Sequence, residues 1–421
     1  MMGEVTLDLG DLRTAVELIL QAPENSTARK DPSDLLFPTL QRAGRLLEAR
    51  ESLLHISASG EVIGRRRPLI ELVTRFYHFQ SSDPRDKVYS LLGLATPDTV
   101  IDIDYNKTVE QVYLDFGKAT VVANPSLDKM LPFMHFSDDD DRALPSWVPD
   151  WSLNTNASEK YGPINIDSLI GYFVEGQYNA CGNLQTDVSF ASLAPRRRRL
   201  SSPVRQNEHH RVPVGLLDNP VLHIGGIKLG VITDLSTRIV DGLVSRDALE
   251  LAGVPFTGGL EGLRDLPSQR FQACWRTLVA DRDVDGNPAP TRFGLALKHL
   301  FKRILDSRNL DTVEFLETEV DYNIRTFLQR VRAVTDGKRI FASKLNDLDE
   351  NILGFVPRAA RIGDTIAILF GTSVPLILRG SDMGQGNYMR IIGPAYVHGI
   401  MDGEVVSKLG EDRMEDSFDI I

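Results

Sequence analysis

Between Arg339 and Val406 the chain is cut into short apolar runs, and glycine-bearing turn signals separate them. Those signals are Ile362-Gly363-Asp364, Phe370-Gly371-Thr372 and Gly384-Gln385-Gly386-Asn387. Runs this short, so evenly punctuated, do not make helices; they predict strands joined by tight turns. Strands at regular spacing must curl or close to hide their edges, so the stretch predicts a small antiparallel barrel or curled sheet.

Upstream the period changes. Leu12, Val16, Leu18, Ile19 and Leu20 give one helical stretch, stopped near Pro23. A second follows at Leu35, Leu36, Leu40, Leu46, Leu47 and Leu53, and Leu69, Leu72, Val73, Phe76 and Phe79 make a third stripe. Asp83 predicts a helix cap, with Pro84 at the first helical position, Val88, Leu91 and Leu92 toward the core and Gly93 as terminator. Thr108, with Gln111 three residues on, predicts a capping box that opens a helix ended by Asn124-Pro125. Val221 to Ile232 reads as a β-hairpin turning at its glycines. Three helices are expected after it, near Ser268 to Ala280, Phe293 to Leu305 and Thr312 to Val334.

The fold class is therefore α+β. Residues 1–125 form a mainly helical region, and 126–235 a loop-rich and β region. A disordered Arg-rich insertion is expected at about 191–213, around Arg196-Arg197-Arg198-Arg199. Residues 236–338 read as helical, 339–406 as the antiparallel segment and 407–421 as a polar tail. The net charge of −11 argues against a nucleic-acid partner or an anionic membrane surface. No apolar run approaches a membrane span, and the N-terminus lacks the basic and apolar parts of a secretory signal. Only Cys181 and Cys274 are present, which suits a reducing compartment; a cytoplasmic location is expected.

Motifs that carry chemistry are few. Asp281-Arg282-Asp283-Val284-Asp285-Gly286-Asn287 imitates the start of a calcium loop, but Arg292 stands where a bidentate Glu is needed. A polar turn after a helix is the plainer reading. The histidines show no metal spacing, there is no nucleophile elbow, and the glycines match no phosphate-binding loop. No metal and no cofactor are expected. Cys274 reads as a buried thiol. Arg196 to Arg199 also has the composition of a nuclear-targeting patch, against the plainer reading of a solvated tract.

Two clusters are the candidate binding residues. Arg85, Asp86 and Lys87 follow the Asp83-Pro84 helix start, where capping and local ion pairing would also explain them. Trp147, Asp150 and Trp151 lie in Leu144-Pro145-Ser146-Trp147-Val148-Pro149-Asp150-Trp151-Ser152. Two tryptophans in a proline-rich loop either clamp it to the body or offer an aromatic binding surface.

In order and combination, several segments resemble fungal heterokaryon-incompatibility (HET) proteins behind their signature domain. They are Asp83 to Ala95, Ile103 to Val109, Leu144 to Ser152, Cys274 to Arg282, Gly354 to Pro357, Arg361 to Asp364, Val374 to Arg379 and Tyr396 to Glu404. The resemblance implies a setting of non-self recognition and programmed cell death, with other proteins as partners. It also implies an N-terminal HET domain similar to TIR domains, marked by Ser-Tyr-x-Trp-Gly, Ile-Asp-Ala-x-Cys-Ile-Asn-Gln and Trp-Leu-Gly blocks. None of these blocks appears here, so no family catalytic residue can be carried onto this chain, NAD-consuming or otherwise.

Three readings follow. The chain is a non-enzymatic regulatory or accessory region of a HET protein, in truncated form. Alternatively it is the rear of an effector whose TIR-like catalytic domain is encoded upstream. As a third reading, it is a free-standing module that binds HET proteins. The helix after Met1-Met2 reads as ordinary mid-domain sequence, which favours truncation.

Overall fold

The computed structural model describes residues 67–97 except 78, 101–134, 144–153, 177–184, 188–193, 217–262 except 260, 267–345, 351–381, 387–409 and 416–421. Thr14, 54–56 and 62–65 are also described. The leucine stretches before residue 54, the acidic run 138–141, the Arg-rich segment and the Gly384 turn lie outside the described residues.

The chain divides into two compact units. The smaller comprises residues 1–76 and 88–100, the larger 77–87 and 101–421. In the smaller, β1 (Leu54–Ile56) and β2 (Val62–Arg65) pair antiparallel. Helix α1 (Leu69–Phe76) follows Pro68 and buries Leu69, Leu72 and Val73 of the expected stripe together with Ile70, while Phe76 is half-buried and Phe79 lies beyond the helix. Arg67 forms an i,i+4 ion pair with Glu71, and its carbonyl accepts the Thr96 N–H at 2.9 Å.

The predicted helix after Asp83 is a single turn, α2 (Asp86–Tyr89). Val88 is buried as expected, but turns replace the helix before Gly93. Helix α3 (Val109–Ala123) has the predicted capping box: Thr108 Oγ1 accepts from Gln111 N, and Gln111 Oε1 accepts from Thr108 N. It stops at Asn124 before Pro125.

In chain order there follow β3 (Ser189–Ala191), β4 (Val221–Val231), β5 (Asp234–Leu235), β6 (Leu243–Val244), α4 (Arg246–Leu251), α5 (Ser268–Leu278), α6 (Arg292–Ser307) and β7 (Leu310–Asp311). Then come α7 (Thr312–Thr318), α8 (Tyr322–Thr335), β8 (Arg339–Lys344), β9 (Asn351–Val356), β10 (Thr365–Leu369), β11 (Leu376–Gly380), β12 (Tyr388–Pro394), β13 (Tyr396–Val397), α9 (Glu404–Leu409) and β14 (Asp416–Ile420).

Two expectations are corrected. Val221 to Ile232 is not a hairpin: Val221–Val231 forms one long strand, β4. Its glycines serve close approach rather than a turn, since a Cβ on Gly226 would lie 2.5 Å from the Ile368 carbonyl oxygen. The helix expected from Thr312 to Val334 is two helices, because Asp321 caps a new start by accepting from Asn323 N and Ile324 N.

A closed barrel of five strands forms the core of the larger unit, in the order β10-β11-β12-β14-β4, with β4 pairing back to β10. Ile227, Leu229, Ile366, Ile368, Ile377 and Ile392 are among its buried residues. All its pairings are antiparallel except β12–β14, which is parallel and joins only Tyr388 to Asp419 and Met389 to Ile420. The polar tail expected after residue 406 instead carries α9 and the closing strand β14. Alternation explains the miss: Phe418 and Ile420 point inward while Asp416 and Asp419 make the segment read as polar. Strands β13, β9, β8 and β5 form a second sheet. The turn signals at 363 and 371 are as predicted, with φ of +93° and +78° at the two glycines.

Candidate functional site

Both sequence-derived clusters pack on α3. Asp83 accepts the Arg85 N–H at 2.9 Å and pairs with the Arg85 guanidinium at 2.7 Å, so Asp83 stays below the usual carboxylate range. Arg85 Nη1 also donates to the Lys107 carbonyl at 3.0 Å, and its guanidinium lies 5.2 Å from the Tyr105 ring. Asp86 accepts from the Tyr105 hydroxyl at 2.6 Å. Lys87 Nζ donates to the carbonyls of Tyr77 and Phe79, and burial lowers its pKa. Tyr113 of α3 donates to the Pro84 carbonyl at 2.7 Å. The cluster ties residues 77–87 to the 104–107 turn and to α3.

Trp147 is fully buried, stacks on Phe190 and donates to the Pro220 carbonyl at 2.9 Å. Gly117 of α3 leaves room for it, since a Cβ there would lie 3.2 Å from the indole. Trp151 is buried between Phe116 and Phe133. Asp150 accepts from Ser152 N at 3.0 Å. Between the tryptophans' supports, the Ser146 hydroxyl accepts from Ile391 N at 2.9 Å and donates to the Ile421 carbonyl. The loop therefore completes the short parallel seam of the barrel. Clamping is the role its buried tryptophans support. Asp150 and Asp83 both act on Tyr113, whose hydroxyl is shifted upward mainly by burial. Helix α3 is where the two clusters meet, since Tyr113 donates to the Pro84 carbonyl while Phe116 and Gly117 lie against the tryptophans.

A third constellation was not singled out from the sequence. Helix α5 ends in two consecutive left-handed non-glycine residues, Ala280 (φ +56°) and Asp281 (φ +51°), a costly conformation that persists only where surroundings enforce it. The enforcement is visible. Tyr178 donates to the Ala280 carbonyl at 2.6 Å. Arg330 of α8, itself buried, donates from Nε to the carbonyls of Arg282 and Val279. Asp281 pairs with Arg276. Arg282 donates to the Gln177 and Asp281 carbonyls, stacks over Tyr178 at 4.5 Å and pairs with Asp402 at 2.6 Å. Arg282 is 7% exposed and Asp402 49%.

Next to this turn, Tyr396 of β13 is fully buried, stacks on Phe355 and sits 3.3 Å from His398 Nδ1. Burial holds His398 below its usual pKa; the Arg276 charge acts the same way, and Asp281 and Glu404 oppose it. The corner thus joins two segments of the family resemblance, Cys274 to Arg282 and Tyr396 to Glu404. Isolated charged residues carry no period, so spacing alone could not have found it.

Cys274 is the buried thiol expected, pushed up to about 12 by burial. The calcium-like loop is a polar turn, in which Asp283 accepts from Asp285 N and Asn287 N. Among the described residues, no group of three or more His, Cys, Asp or Glu is placed to share a metal ion. No helix among them is long and apolar enough to cross a membrane.

Comparison with known proteins agrees with this architecture. The Het-6 β-barrel domain family matches residues 323–418, from α8 into β14. Heterokaryon incompatibility protein 6, OR allele, of Neurospora crassa is 23% identical over 439 residues. The match covers 92% of this chain, and the chain spans 57% of that relative's length. No solved structure matches.

Proposed function

We propose that this chain, which belongs to the heterokaryon-incompatibility family by its Het-6 β-barrel domain and its Neurospora relative, is a non-enzymatic regulatory region acting in non-self recognition. In this reading it works in the cytoplasm through contacts with other proteins and bears on programmed cell death without performing a reaction of its own.

One observation carries the reading. The segments that carry the family resemblance are used to hold one another. Asp364 and Arg379 form a bidentate pair at 2.8 Å for each bond. Arg282 holds Asp402. Charged side chains spent on carbonyls and on each other fix these segments in one arrangement, which fits a scaffold better than a reaction centre.

The test is co-expression of the chain with a full-length HET effector in fungal hyphae. Co-precipitation with the effector and a changed rate of cell death support the reading. A chain that neither binds the effector nor alters death overturns it. The competing reading places a TIR-like catalytic domain upstream in the same transcript, and mapping the transcript's 5′ end separates the two.

A further inference from the structure

Helix α6 turns one face to solvent. Its apolar positions from Phe293 to Ile304 are buried, apart from Leu295, while Arg292, Leu295, Lys298, His299, Lys302 and Asp306 recur at helical spacing and are exposed. Asp306 is the helix's one acid, so from Arg292 to Lys302 every formal charge is positive. Aromatic rings position two of the helix's cations. Lys298 Nζ lies 4.9 Å from the Phe271 ring of α5, and the Arg303 guanidinium 3.9 Å from the Phe315 ring of α7. A ring face holds a cation without neutralising it. Among the described residues, no carboxylate pairs with Arg292, Lys298, Lys302 or Arg303. This is so in a chain where acids outnumber Lys and Arg by 58 to 47. Leu295 stands amid these cations, 66% exposed.

The corner between α7 and α8 has the opposite sign. Residues 311–322 hold Asp311, Glu314, Glu317, Glu319 and Asp321 and no Lys or Arg. Glu314 and Glu317 are exposed, with no ion-pair partner among the described residues. Val320, 90% exposed, and Tyr322, 73% exposed, belong to the same corner. The backbone that carries them is fixed. Glu319 Oε1 accepts from Val320 N and Asp321 N at 3.0 Å each, Asp321 caps α8, and Arg325 Nη1 donates to the Glu319 carbonyl at 2.8 Å. A fixed turn that keeps two apolar side chains in water is a pre-ordered contact surface. Arg303 Nη2 donates to Thr318 Oγ1 at 2.9 Å, which sets the C-terminal part of α6 beside the end of α7.

We propose that these two faces bind each other between copies of this chain. The α6 face of one copy sets Arg292, Lys298 and Lys302 against Glu314 and Glu317 of another, and Leu295 packs with Val320 and Tyr322. Both halves of the match, in charge and in apolar content, are present on this one chain. That favours a second copy over nucleic acid or an anionic lipid surface, which the net charge of −11 repels. Unlike faces that meet through a few apolar side chains and several charges give an association that depends on concentration and weakens with salt. The contact joins copies of this chain, so it is independent of whether the chain binds an effector.

The test is sedimentation velocity of the purified full chain between about 1 and 100 μM, a range that reaches weak specific contacts. The sedimentation coefficient of the parent is expected to rise with concentration, and less so at high salt. Lys298→Glu with Lys302→Glu, and separately Glu314→Lys with Glu317→Lys, are each expected to weaken association about tenfold or more, because each sets like charges face to face. Mixing the two variants, or placing all four substitutions in one chain, restores opposite charges and is expected to restore association. All four positions are exposed, and circular dichroism checks the fold. If one pair of substitutions does not fold, the other pair decides. A parent that stays monomeric throughout, association unchanged in a folded variant of either face, or paired reversals that fail to restore it overturns the proposal. A monomeric parent that binds a capped Glu-Leu peptide through α6 also overturns it, and gives that face to an acidic partner instead.

Discussion

The backbone N–H of Ile391 donates to the Ser146 hydroxyl at 2.9 Å, across 245 positions of sequence. An irregular proline-rich loop thereby supplies a hydrogen bond where the parallel pairing of β12 with β14 gives out. The same hydroxyl donates to the Ile421 carbonyl, so one side chain spans both sides of the seam.

Ser146→Ala leaves a buried N–H and a carbonyl without that partner. It is expected to cost about 1–3 kcal/mol, read from urea denaturation. A cost within measurement error would mean that the seam closes without the loop.

The Asp364–Arg379 pair is buried on the aspartate side and bidentate. Arg379→Met leaves an uncompensated buried carboxylate and is expected to cost about 3–5 kcal/mol. The double variant Arg379→Met with Asp364→Leu is expected to recover part of that loss, because it removes the stranded charge. Additive losses in a double-mutant cycle would contradict the coupling.

Arg282 and Asp402 form an unequal pair, since the arginine is buried and the aspartate half-exposed. Arg282→Met also removes the donors that serve the Gln177 and Asp281 carbonyls and the stack on Tyr178. It is therefore expected to cost more than Asp402→Asn, by about 1–3 kcal/mol. Equal losses would show that the ion pair alone matters.

Asp128 gives a pH dependence. Burial pushes its carboxyl up to about 6, although Ser373 N–H donates to it at 2.9 Å. The ordinary value is 3.8, so between about 4 and 6 the folded chain binds the proton that the unfolded chain releases. This group's contribution is fully present below pH 4 and is lost as pH rises through 6. Asp128→Asn keeps an acceptor for Ser373 and avoids the buried charge. It is expected to be more stable than the parent at pH 7.5, by about 1–3 kcal/mol, with the gap closing toward pH 4. A gap that does not change with pH would refute the assignment.

Local signals were the legible ones. Thr108 with Gln111 marked the start of α3, and the glycines at 363 and 371 marked turns, because a cap or a positive φ is fixed by neighbouring residues. The short apolar runs after Arg339 announced a barrel. They did not show which strands close it, since β4 comes from more than a hundred residues upstream and β14 from a segment that reads as polar. Gly225-Gly226 read as a turn because a glycine that admits a neighbouring backbone looks, in sequence, like one that bends. The clamp reading of Trp147 and Trp151 is the one their burial supports, because large aromatics in a proline-rich loop hide their area only by folding onto the body. The Arg282–Asp402 pair could not be read from spacing, because only the fold brings Cys274 to Arg282 and Tyr396 to Glu404 together.

Regulation without catalysis is the role proposed for this chain. It is tested by incubating the purified full chain with NAD and following nicotinamide release by chromatography over several hours. Intact NAD, indistinguishable from a buffer control, is expected. Steady release that scales with protein concentration and is lost on heat denaturation would contradict it.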